Sequence, residues 1–154
     1  MDKNTNSKRF DINILINGIP IIHIELKNES IDLKQAMKQI VNYKNNGAIS
    51  DFLDFTKIFI YSNGTNTRYF VNNNNKNNNS SFTWSDKNNK NANELLEFSN
   101  FFLNKSFLID FIFNYFVMDD EKLVIKIFRP YQYHACKEIL NRIDGNEKQK
   151  SGYI

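Results

Sequence analysis

Arg9-Phe10-Asp11-Ile12-Asn13-Ile14-Leu15-Ile16-Asn17-Gly18-Ile19-Pro20-Ile21-Ile22-His23-Ile24-Glu25-Leu26-Lys27 is the stretch on which the fold turns. Phe10, Ile12, Ile14 and Ile16 recur with a period of two, and so do Ile22, Ile24 and Leu26, which predicts two strands. Between them Asn17-Gly18 supplies residues that tolerate positive φ, so the strands form a β-hairpin, with Pro20 marking the loop's edge because it cannot donate to a ladder. On the face opposite the apolar one lie Asp11 in the first strand and His23, Glu25 and Lys27 in the second. Any loop of two or three residues around Gly18 sets Asp11 across from residue 24, 25 or 26, so two carboxylates and one lysine converge.

Beyond the hairpin, Leu33, Ala36, Met37, Ile40 and Val41 recur at helical spacing. Ser30 or Asp32 is the candidate N-cap, and the helix stops before Asn45-Asn46-Gly47. Ile58-Phe59-Ile60-Tyr61 reads as a buried strand, Asn63-Gly64 as a turn and Thr67-Arg68-Tyr69-Phe70-Val71 as its partner. From Asn72 to Ser81 only Asn, Lys and Ser occur, too polar to offset their ordering entropy, so a flexible and dispensable loop is predicted. Asn93–Asn104 and Phe107–Val117 read as two apolar helices that cover the sheet or face a neighbouring domain. Leu123–Phe128 reads as a strand, followed by a helix opened by Pro130 and running to about Ile143. The order β-β-α-β-β-α-α-β-α predicts an α/β fold with a mixed central sheet flanked by helices.

A chain of 154 residues is long enough for one core of ordinary size. Its 20 Lys+Arg against 17 Asp+Glu permit nucleic acid as a partner without arguing for it. The single cysteine, Cys136, excludes an internal disulfide framework and a Cys-rich zinc site, and fits a reducing compartment. No apolar run approaches the roughly 18 residues that span a bilayer, and Met1–Asn6 carries no signal-peptide hydrophobic region, so the cytoplasm is expected and no membrane.

Two acids and a lysine on one strand face can hold a divalent cation, since hard oxygen ligands suit Mg²⁺, while Lys27 stabilises charge on a phosphate. On the residues alone, a cross-strand Asp/Lys or Glu/Lys surface pair accounts for the same pattern. His134 and Cys136 stand at i and i+2 on a helix, which does not aim both at one site. His23 reads as a satisfied neighbour of Glu25 or a minor contributor, and Trp84, Tyr115 and the Phe-rich helices as core.

The wording around the acids carries a resemblance. Arg9-Phe10-Asp11, Asn17-Gly18-Ile19-Pro20, His23-Ile24-Glu25-Leu26-Lys27 and Gln39-Ile40-Val41-Asn42-Tyr43 together resemble the D…ExK core of PD-(D/E)xK nucleases. The version they match belongs to the restriction subunits of type I restriction-modification enzymes, which add a QxxxY motif on the next helix. Gln39 and Tyr43 fit that motif, and four residues of separation project them together from the helix. Ile60–Thr67, with its Ser62-Asn63-Gly64-Thr65 turn, and Phe82-Thr83-Trp84 continue the likeness. It implies a restriction-endonuclease-like core over residues 1–120, with Asp11 and Glu25 as Mg²⁺ ligands, Lys27 as the catalytic lysine and Gln39 and Tyr43 in support.

Arg129-Pro130-Tyr131-Gln132-Tyr133-His134-Ala135 resembles the segment that precedes the first motor domain of these subunits, where a glutamine, here Gln132, lies near the adenine of ATP. Residues 121–154 then read as a linker and the start of that motor. No G-x-x-x-x-G-K-[ST] occurs in the chain, so ATP is expected to act in the full-length subunit only. Ser151–Ile154 resembles the strand that leads into the missing loop, and only ten residues precede Asp11 where these subunits carry an N-terminal helical region. An excerpt is therefore expected. The resemblance implies duplex DNA and the modification and specificity subunits as partners. A catalytically inactive remnant that binds DNA or docks a subunit is the alternative.

Overall fold

The computed structural model describes residues 10–45, 53–73, 80–121 and 124–145. Strands β1 (Ile12–Ile16), β2 (Ile19–Leu26), β3 (Ile58–Ser62) and β4 (Thr67–Val71) form one sheet in that order. β1 runs antiparallel to β2, β2 parallel to β3, and β3 antiparallel to β4. Helix α1 (Leu33–Asn45) connects the parallel pair. After β4 come α2 (Leu95–Phe102), α3 (Lys105–Asn114), a hairpin of β5 (Phe116–Asp119) and β6 (Val124–Ile127), and α4 (Pro130–Asp144). The α/β class and the mixed sheet flanked by helices are as the sequence predicts.

Both hairpins form where expected. Asn17 and Gly18 have φ of 51° and 81°, the two consecutive positive values a tight turn between twisted strands requires. Pro20 departs from its predicted place: it lies inside β2 opposite Leu15, where a register shift after Ile14 breaks the ladder and removes the need for its missing N–H. The predicted helix Phe107–Val117 stops at Asn114, and Phe116 and Val117 pair with β6 instead. Tertiary pairing has taken the end of an apolar run that local periodicity assigns to a helix. The centre of the Asn72 to Ser81 segment, the end of the helix at Asn46-Gly47, and Ser151–Ile154 lie outside the described residues.

Both faces of the sheet are buried, which explains why β3 is apolar without alternation and buried throughout. Ile22, Ile24, Ile58, Ile60 and Tyr69 face one way, into a core completed by Trp84, Phe98, Phe102, Phe111 and Tyr133. The helices α2 and α3 thus cover the sheet, and Trp84 and Tyr115 are core residues, as predicted. Ile127 and Tyr133, from the segment read as leading to the motor, join that same core. Phe59, Tyr61 and Phe70 face the other way and meet Ala36, Ile40 and Tyr43 of α1. Asp32 caps α1 by accepting from the Lys34 amide at 2.9 Å, one of the two caps the sequence allows.

Candidate functional site

The hairpin face that carries the polar residues is not open. It lies under α1, so His23 and Glu25 are wholly buried. Their position follows from parity: His23 pairs with Phe59 and Glu25 with Tyr61, the strand residues that face α1. Stripping water from a carboxylate costs several kcal/mol, so a fully buried Glu25 requires specific partners. Lys27 Nζ donates to Glu25 Oε1 at 2.7 Å, with a fifth of the lysine side chain exposed. The same ammonium donates to Gln39 Oε1, and Gln39 Nε2 donates to the Tyr43 hydroxyl. Glu25, Lys27, Gln39 and Tyr43 therefore form one chain of hydrogen bonds from mid-sheet to α1. Two of the three ammonium N–H groups are used in it.

Tyr43 departs in part from expectation. Its ring shares the buried stripe of Ala36 and Ile40 rather than a separate face, and only its hydroxyl reaches Gln39. A tyrosine can do both because its ring is apolar and its tip is not.

Asp11 is exposed, and its Oδ2 accepts from the Leu26 backbone N–H at 2.8 Å. That bond closes the ladder in place of a backbone carbonyl, and β1 begins only at Ile12. Alternation consequently fails before Ile12. Phe10, predicted on the face of Ile12 and Ile14, packs edge-on against His23 and Tyr43 on the α1 side, with ring centroids 5.3 and 5.4 Å away. Among the described residues no three His, Cys, Asp or Glu side chains gather around one point.

His23 is less satisfied than predicted. Its Nδ1 lies 2.9 Å from Asn13 Oδ1, the residue directly opposite on β1, whereas Nε2 stands 3.6 Å from Glu25 Oε2. Neither Nε2 nor Oε2 has a hydrogen-bond partner among the described residues. A buried carboxylate oxygen with no donor suits a cation, so the donor set here fits a divalent metal ion.

Two contributors escaped the sequence reading. Asn13 could have been found from the hairpin register, which sets it against His23. Asn63 clamps the loop between β2 and α1: its Nδ2 donates to the Ile31 carbonyl at 3.1 Å and its Oδ1 accepts from the Asn66 N–H at 2.9 Å. Nothing in the sequence separates Asn63 from the many other asparagines. Gln132 lies apart from the acids, in the first turn of α4, where its Oε1 accepts from the Arg129 N–H at 2.9 Å. With Arg129 and Phe82 it lines a cavity of about 610 Å³, and the Arg129 guanidinium stacks 5.3 Å from the Phe82 ring centre. His134 bonds the Ser85 carbonyl at 3.0 Å.

Comparison with known proteins places this arrangement. The family described as type I restriction enzyme R protein N terminus matches residues 1–78, just over half of the chain and the part that holds Asp11, Glu25, Lys27, Gln39 and Tyr43. The chain belongs to that family. The type I restriction enzyme SsaAORF53P endonuclease subunit of Staphylococcus saprophyticus is 36% identical over 151 residues, covering 97% of this chain and 16% of that subunit. The SauCOLORF180P endonuclease subunit of Staphylococcus aureus is 33% identical over 153 residues, 99% of this chain and again 16% of the relative. The EcoprrI endonuclease subunit of Escherichia coli is 33% identical over 144 residues, 90% of this chain and 46% of the relative. The chain thus spans about a sixth of the length of its staphylococcal relatives. Among the described residues no helix is long and apolar enough to cross a membrane.

Proposed function

We propose that this chain is the nuclease part of a type I restriction subunit and cleaves unmodified foreign duplex DNA endonucleolytically. The observation that carries the reading is the buried Glu25–Lys27–Gln39–Tyr43 chain, found in a member of this family at the residues that form its ExK and QxxxY patterns. Asp11 and Glu25 would hold Mg²⁺, Asp11 through the oxygen not given to Leu26 and Glu25 through its unpartnered Oε2. A cation so held polarises a phosphate oxygen and makes a water acidic enough to serve as nucleophile near neutral pH.

The chain's own residues do the rest. Lys27, fixed by Glu25 and Gln39, has one N–H left to point at the scissile phosphate, where it stabilises the negative charge that grows during attack. Gln39 holds that ammonium in one rotamer, and Tyr43 holds Gln39, so the donor is oriented before substrate arrives. Residues 1–120 form the nuclease domain in this reading, and 121–154 lead toward the motor. Gln132 would then meet the adenine of ATP at the cavity it shares with Arg129 and Phe82, and ATP-driven translocation would be coupled to cutting only in the full-length subunit. The modification and specificity subunits would be its partners, in the cytoplasm.

The test uses a full-length subunit carrying these residues, assembled with its partners. Lys27→Ala, Asp11→Ala and Glu25→Ala are expected to abolish cleavage while DNA-stimulated ATP hydrolysis persists, and Gln39→Ala and Tyr43→Phe to weaken cleavage. Cutting by Lys27→Ala at the unmutated rate would leave a DNA-binding or docking remnant as the better reading.

A further inference from the structure

Asn13 and His23 take no part in the chemistry above, yet they form a built arrangement beside Glu25. The imidazole is wholly buried, held on edge by the rings of Phe10, Tyr43 and Phe59 at 5.3 to 6.1 Å between centroids, so its two nitrogens have fixed directions. Asn13 Oδ1 is an acceptor, which requires Nδ1 to carry the proton and leaves Nε2 as a bare lone pair. That lone pair faces Glu25 Oε2, itself an acceptor without a donor, across 3.6 Å. Two buried acceptors turned toward each other are unfavourable unless something positive is shared between them.

We infer that His23 Nε2 is a nitrogen ligand to the divalent cation held by Glu25 Oε2, with Asn13 as the positioning residue that sets its tautomer. This rests on the reading of Glu25 as a metal ligand. The spacing suits it: two atoms each about 2.1 Å from one cation, at an angle of about 90 to 120°, lie about 3.0 to 3.6 Å apart. A ligating histidine also normally donates its other ring N–H to a fixed acceptor, the part Asn13 plays. The consequence is a change in metal preference. Imidazole suits borderline transition metals, whereas Mg²⁺ favours oxygen and gives up its waters reluctantly, most of all at a site this buried. Mn²⁺ is therefore expected to bind at least tenfold more tightly than Mg²⁺.

The experiment is Mn²⁺ binding to the intact protein, followed by isothermal titration and by electron spin-echo spectroscopy, which detects a directly bonded imidazole nitrogen through its ¹⁴N coupling. Unmutated protein is expected to show that coupling. His23→Gln is expected to lose it and to weaken Mn²⁺ binding about ten- to a hundredfold, with the melting temperature measured alongside to show that the variant is folded. Asn13→Ala is expected to weaken binding less while retaining the coupling. If Glu25→Gln abolishes Mn²⁺ binding but the unmutated protein shows no ¹⁴N coupling, the inference is overturned and the role of Glu25 stands. Coupling that survives His23→Gln comes from His134 and overturns it as well. Failure of the unmutated protein to bind either Mn²⁺ or Mg²⁺ overturns both this inference and the reading of Glu25 beneath it.

Discussion

Glu25 and Lys27 are bound to each other but unequally placed, and their removal should not cost the same. Glu25 is wholly buried, whereas part of the Lys27 side chain reaches solvent. Lys27→Ala leaves a buried carboxylate without its counter-charge and is expected to lower unfolding stability by about 3 kcal/mol. Glu25→Gln leaves an ammonium that can turn to water, so a smaller loss is expected; urea titration of the two variants at one pH checks the order. Tyr69 offers the reverse case. Its hydroxyl is buried with no partner among the described residues, and burial pushes its ionisation well above the ordinary tyrosine value. Tyr69→Phe is expected to be neutral or stabilising at neutral pH, since it deletes an unsatisfied group. Above pH about 10 the unfolded chain releases the Tyr69 proton and the folded chain keeps it, so stability must fall as pH rises through that range. The fall should be shallower in Tyr69→Phe, as alkaline denaturation would show.

Two turns set the geometry of the site's elements. At the β1–β2 turn, Gly18 has φ of 81° and open space where a Cβ would go, so Gly18→Ala costs backbone strain alone. A loss of about 1 kcal/mol is expected, measurable by thermal melting. The loop from Lys27 to α1 is held by Asn63, which bonds the Ile31 carbonyl on one side and the Asn66 amide on the other. Asn63→Ala is expected to cost about 1 to 3 kcal/mol and to speed hydrogen exchange at the Asn66 amide, while the central β2–β3 amides stay protected. An unchanged exchange rate at Asn66 would show that the clamp holds nothing.

Across the whole molecule, the sheet divides two cores of different character. The larger is aromatic and centres on Trp84, whose indole lies 5.0 to 6.2 Å from the rings of Tyr69, Phe102, Phe107, Phe111 and Tyr133. These rings come from β4, α2, α3 and α4, so one side chain ties the helical layer to the sheet. Trp84→Ala is expected to cost about 3 to 5 kcal/mol, read by far-ultraviolet circular dichroism during denaturation. In the unmutated protein the fluorescence of this single tryptophan should change in the same transition. The smaller core under α1 mixes Ala36, Ile40 and Phe59 with buried His23 and Glu25, which makes it the polar and functional half.

The hairpin, its register, the amphipathic α1 and the partnership of Glu25, Lys27, Gln39 and Tyr43 were legible in the sequence, because strand and helix periods are local properties and the motifs lie on two adjacent elements. What sequence could not decide was environment. Parity placed His23 and Glu25 on one face but did not say that α1 would seal that face, since a buried charge and a solvated one are written with the same letters. Phe10 was misplaced because alternation holds only inside a ladder, and Asp11 ends this ladder with its own side chain. The helix predicted through Val117 stopped at Asn114 because pairing with β6, distant in periodic terms, outweighs the preference of a short apolar run. The direction of the His23 nitrogens, and hence what lies between Nε2 and Glu25, was decided by tertiary packing alone, through Asn13 on one edge of the ring and three aromatic side chains around it.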